Sequence, residues 1–111
     1  MRMENTVIHN KLVRDRIPDI VEKSGNTPVC RTLAEDEYLE MLDKKLSEEL
    51  NEYFADKSME EIADLLEVIH AVVTARGFSM EDVEKIRLSK KEKRGGFEKR
   101  IFLEKVIHAE V

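Results

Sequence analysis

The residues best suited to chemistry are five carboxylates in one short stretch of the chain: Glu48, Glu49, Glu52, Glu61 and Asp64. Residues three apart are neighbours on a helix surface, so the two halves of this stretch each carry one close pair. Carboxylates that meet in a partly buried site repel one another and are costly to desolvate. A divalent cation compensates for both effects, and all-oxygen ligands favour Mg2+, with Mn2+ as the alternative.

Hydrophobic periodicity places these carboxylates relative to the buried faces of two predicted helices. On the first helix, Glu49 lies about 60° and Glu52 about 120° from the centre of the apolar stripe. Glu48 points nearly opposite to that stripe. On the second helix, Glu61 falls inside the apolar arc and Asp64 lies at its edge. We therefore predict a metal site formed by Glu49, Glu52, Glu61 and Asp64.

A purely structural explanation competes with the metal site for some of these residues. Ser58 and Glu61 have the spacing of a capping box, in which Glu61 serves the start of a helix. Lys45 and Lys57 are close enough in sequence to pair with the acids, and Glu67 is expected to point away from the apolar face. Each carboxylate taken alone fits this explanation. The arrangement of the whole set on two helices favours a metal site.

The five carboxylates resemble the EExxE…ExxD signature of the all-α nucleotide pyrophosphohydrolases, which include MazG-like proteins, dimeric dUTPases and phosphoribosyl-ATP pyrophosphohydrolases. The spacer between the two motifs is shorter here than is usual for MazG proper. Two further stretches, HNKLVRDRIP at residues 9–18 and KRGGFEKRIFL at residues 93–103, narrow the resemblance. Both are similar to small, single-domain, predicted house-cleaning nucleoside triphosphate pyrophosphatases of the phosphoribosyl-ATP pyrophosphohydrolase-like type.

The ligand set and the resemblance together predict a mechanism. Mg2+ held by Glu49, Glu52, Glu61 and Asp64 would neutralise the phosphates of a nucleoside triphosphate and activate a water molecule. The resemblance implies cleavage between the α- and β-phosphates, which gives a nucleoside monophosphate and pyrophosphate. Glu48 is the candidate for binding a second ion or for orienting the water.

Four cations are candidates for binding the substrate phosphates. Lys11 and Arg14 lie in the first resembling stretch, and that resemblance favours a phosphate-binding role over ordinary solvated charges. Lys90 and Arg94 follow Val83 on one side of a later helix. They fit either a clamp on the polyphosphate or cations that complement the helix C-terminus.

The pattern of the whole chain predicts an all-α helical bundle with minor β segments. The second long predicted helix is apolar over more than half of its circumference. We therefore expect a second subunit to cover part of this surface, in a homodimer or a higher homo-oligomer. The predicted helices span residues 18–23, 35–55, 59–76 and 79–94, and the possible short strands lie at 29–33 and 101–103.

Length and composition limit the remaining possibilities. With 111 residues, we expect a single domain spanning 1–111. A formal charge of −5 argues against nucleic acid as a partner, and no apolar run is long enough to span a membrane. Cys30 is the only cysteine, which fits the reducing cytoplasm, and we expect it to be a buried thiol.

Two other functions remain open from the sequence. The nearest enzymatic alternative is a phosphoribosyl-ATP pyrophosphohydrolase, which has the same signature but a different substrate. The other is a non-catalytic helical dimerisation or adaptor module, in which the carboxylates are surface charge.

Overall fold

The computed structural model describes residues 5–110, and their regular structure is entirely helical. This confirms the all-α class. The helices are α1 (Ile17–Lys23), α2 (Glu35–Asp56), α3 (Met59–Ala75) and α4 (Met80–Arg94). Within the described residues, none of these helices combines the length and the apolar character that a membrane span requires.

The chain divides into two compact units, the first ending at Phe78 and the second beginning at Ser79. The first unit holds α1, α2 and α3, and the second holds α4 with the segment that follows it. The expectation of one domain spanning 1–111 stays a prediction.

Helices α2 and α3 form a helical hairpin because only Lys57 and Ser58 separate them. The Ser58 side chain accepts a hydrogen bond from the Glu61 backbone N–H, as the capping-box spacing predicted. An ion pair of 3.0 Å between Asp43 and Arg76 joins the body of α2 to the far end of α3. The two helices therefore run antiparallel, and residues at similar distances from the link lie side by side.

The buried hydrophobic residues of the described chain lie in the hairpin. They are Leu42 on α2 and Val68 and Val73 on α3. Gly77 follows α3 with a φ of 81°, a left-handed conformation that glycine adopts without steric cost. The helix therefore ends where the sequence predicted.

Helices α1 and α4 carry local start signals of different kinds. Pro18 lies in the first turn of α1, where its missing N–H costs nothing. The Ser79 side chain caps α4 by accepting a hydrogen bond of 3.1 Å from the Asp82 backbone N–H. Neither helix contains a buried residue.

The predicted minor β segments are wrong for the described residues. Residues 29–33 and 101–103 have no regular structure, and Val29 is 96% and Ile101 81% exposed. Their β-branched and aromatic side chains fit a strand only when a neighbouring strand supplies hydrogen bonds and packing. Cys30 is accordingly exposed rather than buried.

The link between α2 and α3 contains a strained residue whose replacement should stabilise the protein. Lys57 has φ 54° and ψ 28°, a left-handed conformation in which a side chain clashes with its own backbone. Lys57→Gly should raise the free energy of unfolding by about 1 kcal/mol in urea denaturation. Lys57→Ala is the control, since it removes the charge but keeps the strain. An equal gain in both variants would attribute the effect to charge rather than to conformation.

Candidate metal centre

Three carboxylates from the two arms of the hairpin meet at one point. Glu49 of α2 and Glu61 and Asp64 of α3 each offer an oxygen, and these three oxygens lie within 4.8 Å of one another. All three residues are half-buried. We call this group the carboxylate cluster.

The local sequence explains why these residues come together. Glu49 lies two turns before the end of α2, and Asp64 lies between one and two turns after the start of α3. Because the link is short and the helices are antiparallel, these positions face each other across the hairpin. Glu61 stands one turn before Asp64 on the same side of α3.

Two cations from different parts of the first unit contact the cluster. The Arg14 guanidinium donates to Asp64 at 2.8 Å, and the Lys45 ammonium lies 3.3 Å from Glu49. The side chain of Lys45 is only 16% exposed and that of Glu49 only 13%, so water screens this pair little. Two of the three carboxylates are therefore neutralised by the chain itself.

Glu61 is the member of the cluster for which the described residues provide no ion pair. Its pKa is raised above the ordinary 4.5, first by desolvation and then by the charges of Glu52, Asp64, Asp56 and Glu49. A raised pKa means that the folded state holds the proton more tightly than the unfolded chain does. At neutral pH, ionised Glu61 therefore opposes folding, and lowering the pH towards its pKa relieves that cost.

The other two predicted carboxylates lie beside the cluster rather than in it. Glu52 is exposed and lies outside the group of three, although its charge contributes to the raised pKa of Glu61. Glu48, which was expected to point away, lies 3.3 Å from both Lys11 and Lys45 and is half-buried. Desolvation acts to raise the pKa of Glu48, but its contacts with the two lysines outweigh that effect and lower it.

The four predicted phosphate-binding cations belong to two different units. Lys11 and Arg14 reach the carboxylates of the first unit, at Glu48 and Asp64. Lys90 and Arg94 are exposed on α4, where they line a shallow depression of the second unit together with Lys85 and Lys93. Their proposed role as a clamp stays a prediction.

Sequence reasoning missed the importance of three residues around the cluster. From the sequence, Lys45 was only one of two candidate ion-pair partners for the acids. It precedes Glu48 by three residues and Glu49 by four, and this spacing was the signal that indicated contact with both. Tyr38 and Glu67 line a cavity beside the cluster. Only the packing of the N-terminal segment against α2 and α3 reveals that cavity, because this segment has no helical periodicity.

The carboxylate cluster suits a hard divalent cation. Its donor atoms are carboxylate oxygens only, which is the ligand chemistry that Mg2+ prefers. Three protein ligands would also leave coordination positions for water and for substrate phosphates, which Mg2+ usually retains. Glu49, Glu61 and Asp64 would hold the ion, and Glu52 would join them only after its side chain moved.

Removing the charge of Glu61 should stabilise the metal-free protein. Glu61→Gln keeps the shape and the helix cap but removes the group whose ionised form opposes folding. In metal-free buffer at pH 7, its melting temperature should equal or exceed that of the parent. Glu60→Gln is the matched control, because Glu60 is exposed and outside the cluster. A clear loss of stability in Glu61→Gln alone would show that Glu61 has a structural role.

Comparison with known proteins gives a partial match to one other protein. No family model matches the chain, and no solved structure matches it. A stretch of 42 residues is 60% identical to an uncharacterized protein of Mycolicibacterium smegmatis. That stretch is 38% of this chain and 43% of the relative, so the match spans less than half of either protein.

Proposed function

We propose that this protein is a Mg2+-dependent nucleoside triphosphate pyrophosphohydrolase of the MazG-like, phosphoribosyl-ATP pyrophosphohydrolase-like type. The observation that carries the proposal is the convergence of Glu49, Glu61 and Asp64 from two helices, with Arg14 and Lys45 beside them. Anionic ligands for an ion and cationic donors for phosphates are the two components that such a reaction needs.

The reaction would hydrolyse the anhydride bond between the α- and β-phosphates and release a nucleoside monophosphate and pyrophosphate. Bound Mg2+ would supply charge neutralisation and would lower the pKa of a coordinated water. Glu49, Glu61 and Asp64 would fix its position. Glu48 holds Lys11 and Lys45 beside the cluster and is our candidate for orienting the attacking water.

The cations near the cluster would exchange partners when substrate binds. In the structure, Arg14 pairs with Asp64 and Lys45 pairs with Glu49. If those carboxylates held a metal ion, both cations would be free to donate to phosphate oxygens, for which the planar guanidinium of Arg14 is well suited.

We further propose that the substrates are non-canonical nucleotides and that the protein works as a house-cleaning enzyme in the cytoplasm. A single exposed cysteine, Cys30, fits a reducing compartment. Hydrolysis of phosphoribosyl-ATP is the enzymatic alternative, and substrate profiling separates the two.

The proposed activity predicts pyrophosphate release from nucleoside triphosphates that depends on Mg2+. The assay is a panel of canonical and damaged nucleoside triphosphates together with phosphoribosyl-ATP, scored for pyrophosphate with Mg2+ and with a chelator. Mg2+ at about tenfold excess over its dissociation constant should raise the melting temperature of the parent by roughly 5 °C. Glu61→Gln should lose both the activity and the shift, whereas Glu60→Gln should keep both.

Three outcomes, two of that assay and one of calorimetry, would contradict parts of the proposal. Retained activity in Glu61→Gln would remove this residue from the ligand set. Selective turnover of phosphoribosyl-ATP would favour the enzymatic alternative. The absence of Mg2+ binding at millimolar concentration in calorimetry, together with no pyrophosphate release, would favour the adaptor module.

We also propose that the protein assembles at least as a homodimer. Ile62 and Leu66 of α3 are 45% and 49% exposed. Leu50 and Phe54, which lie in the last turns of α2 before the link, are also exposed. These spacings of four put the members of each pair on one side of their helix. Exposed apolar surface of this kind is typical of an interface between proteins.

Assembly predicts a measurable mass and a way to disrupt it. Light scattering at micromolar concentration should return at least twice the mass of one chain. Leu66→Glu places a charge on the exposed apolar side of α3 and should shift the protein towards the monomer. A parent protein that is monomeric at this concentration would rule out the dimer.

A further inference from the structure

Residues 11–16, which we call the strap, contact both arms of the hairpin before α1 begins. Lys11 lies 3.3 Å from Glu48 on α2, and Arg14 donates to Asp64 on α3 at 2.8 Å. All of the strap after Lys11 also lines a cavity of about 430 Å3 beside the carboxylate cluster. The strap therefore covers one side of that cavity.

The strap is attached to the hairpin by few contacts. Among the described residues, its hydrogen bonds to α2 and α3 are the two side-chain contacts of Lys11 and Arg14. Leu12 and Val13 are half-buried, and the other four residues of the strap are exposed. The side chains of Arg14 and Asp64 are themselves 58% and 44% exposed. Because exposed ion pairs shift an equilibrium by no more than about fivefold, the strap is a weakly held part of the first unit.

One of the two contacts of the strap reaches the carboxylate cluster. Glu48, the partner of Lys11, lies outside the group of three, whereas Asp64, the partner of Arg14, belongs to it. The other cation at the cluster, Lys45, pairs within α2 and does not depend on the strap. The contact between Arg14 and Asp64 is therefore the link between the strap and the cluster.

Asp64 has two roles that oppose each other. It anchors the strap on α3, and it is one of the three candidate metal ligands. The guanidinium of Arg14 would lie beside a cation held by the cluster, and like charges at short distance repel. By linkage, the factor by which the ion weakens the attachment of the strap equals the factor by which the strap weakens ion binding.

We infer that the strap is a gate on the cavity, that its latch is the contact between Arg14 and Asp64, and that a divalent cation at the cluster releases this latch. The inference rests on the proposed metal site and adds a conformational step to it. Without the latch, residues 12–16 are held at the hairpin mainly by Leu12 and Val13. Binding of the cation therefore opens the cavity to solution.

A titration with Mg2+ alone, followed by calorimetry, measures how strongly the strap opposes the ion. Arg14→Gln removes the latch and should tighten Mg2+ binding by about two- to fivefold. Arg16→Gln is the matched control, because Arg16 is an exposed cation of the same strap with no ion pair among the described residues. It should bind Mg2+ as the parent does. Equal tightening in both variants would reduce the effect to general charge and would overturn the inference.

Limited proteolysis measures the opening itself. Trypsin cleaves after Lys11 and Arg16 only when the strap leaves the hairpin, so the cleavage rate follows the open population. In the parent, Mg2+ should raise this rate by about two- to fivefold over the rate with a chelator. Arg14→Gln should be cleaved at the higher rate under both conditions. Cleavage after Lys105, an exposed residue of the second unit, is the internal control and should not change.

Protection of the strap by Mg2+, or an unchanged cleavage rate in a parent that binds Mg2+, would overturn the inference. Failure of the proposed function gives a different result. If the parent releases pyrophosphate but Arg14→Gln and Arg16→Gln bind Mg2+ alike, the gate is wrong and the enzyme assignment stands. If Mg2+ binds and opens the strap but no nucleotide is hydrolysed, the gate stands without the enzyme. If neither the parent nor Arg14→Gln binds Mg2+ at millimolar concentration, the metal site and the gate are both wrong.

Discussion

Mutual repulsion among Glu49, Glu61 and Asp64 is the constraint on which the rest of the first unit depends. The short link between α2 and α3 and their antiparallel packing bring the three side chains together. Like charges at such a distance in a half-buried site are unfavourable unless cations lie nearby. Arg14 and Lys45 supply two such charges. The pKa of Glu61 is nevertheless raised, first by desolvation and then by the charges of the neighbouring carboxylates.

The same charges also position the N-terminal segment. Residues 5–16 form neither helix nor strand, but Lys11 and Arg14 tie this segment to Glu48 on α2 and to Asp64 on α3. These contacts hold residues 12–17 against the hairpin, where they become a wall of the cavity. A change in the partner of Asp64 therefore also changes what holds that wall. The chemistry of the cluster and the shape of the cavity are linked through one arginine.

Much of the helical structure was predictable because its signals are local. Ser58 and Ser79 marked two helix starts and Gly77 marked an end, so the bounds of α3 agree within one residue of the structure. The cluster was predictable in part, since helix periodicity together with a two-residue link determines which side chains meet. Glu52 is exposed and lies outside the group of three, so its place in the ligand set stays a prediction.

The features that were not predictable depend on contacts between distant parts of the chain. Residues 29–33 and 101–103 have strand-like composition, but a strand exists only with a partner, and sequence composition does not reveal one. The cavity and the role of Lys45 depend on where residues 12–17 pack, and that segment carries no periodic pattern. Ion pairs between residues 37 and 50 positions apart hold it, at Lys11–Glu48 and Arg14–Asp64.

The small core of the hairpin bears on both the cavity and the proposed homodimer. Leu42, Val68 and Val73 are the buried hydrophobic residues of the described chain, and Leu42 and Val68 also border the cavity. Ile62 and Leu66 stay half exposed on α3. Hydrophobic burial is the main favourable contribution to folding, and a hairpin with two uncovered surfaces gains less of it than its composition allows. A ligand in the cavity and a second chain on the exposed apolar side would each bury surface of the same two helices. Each would therefore stabilise the structure that the other requires.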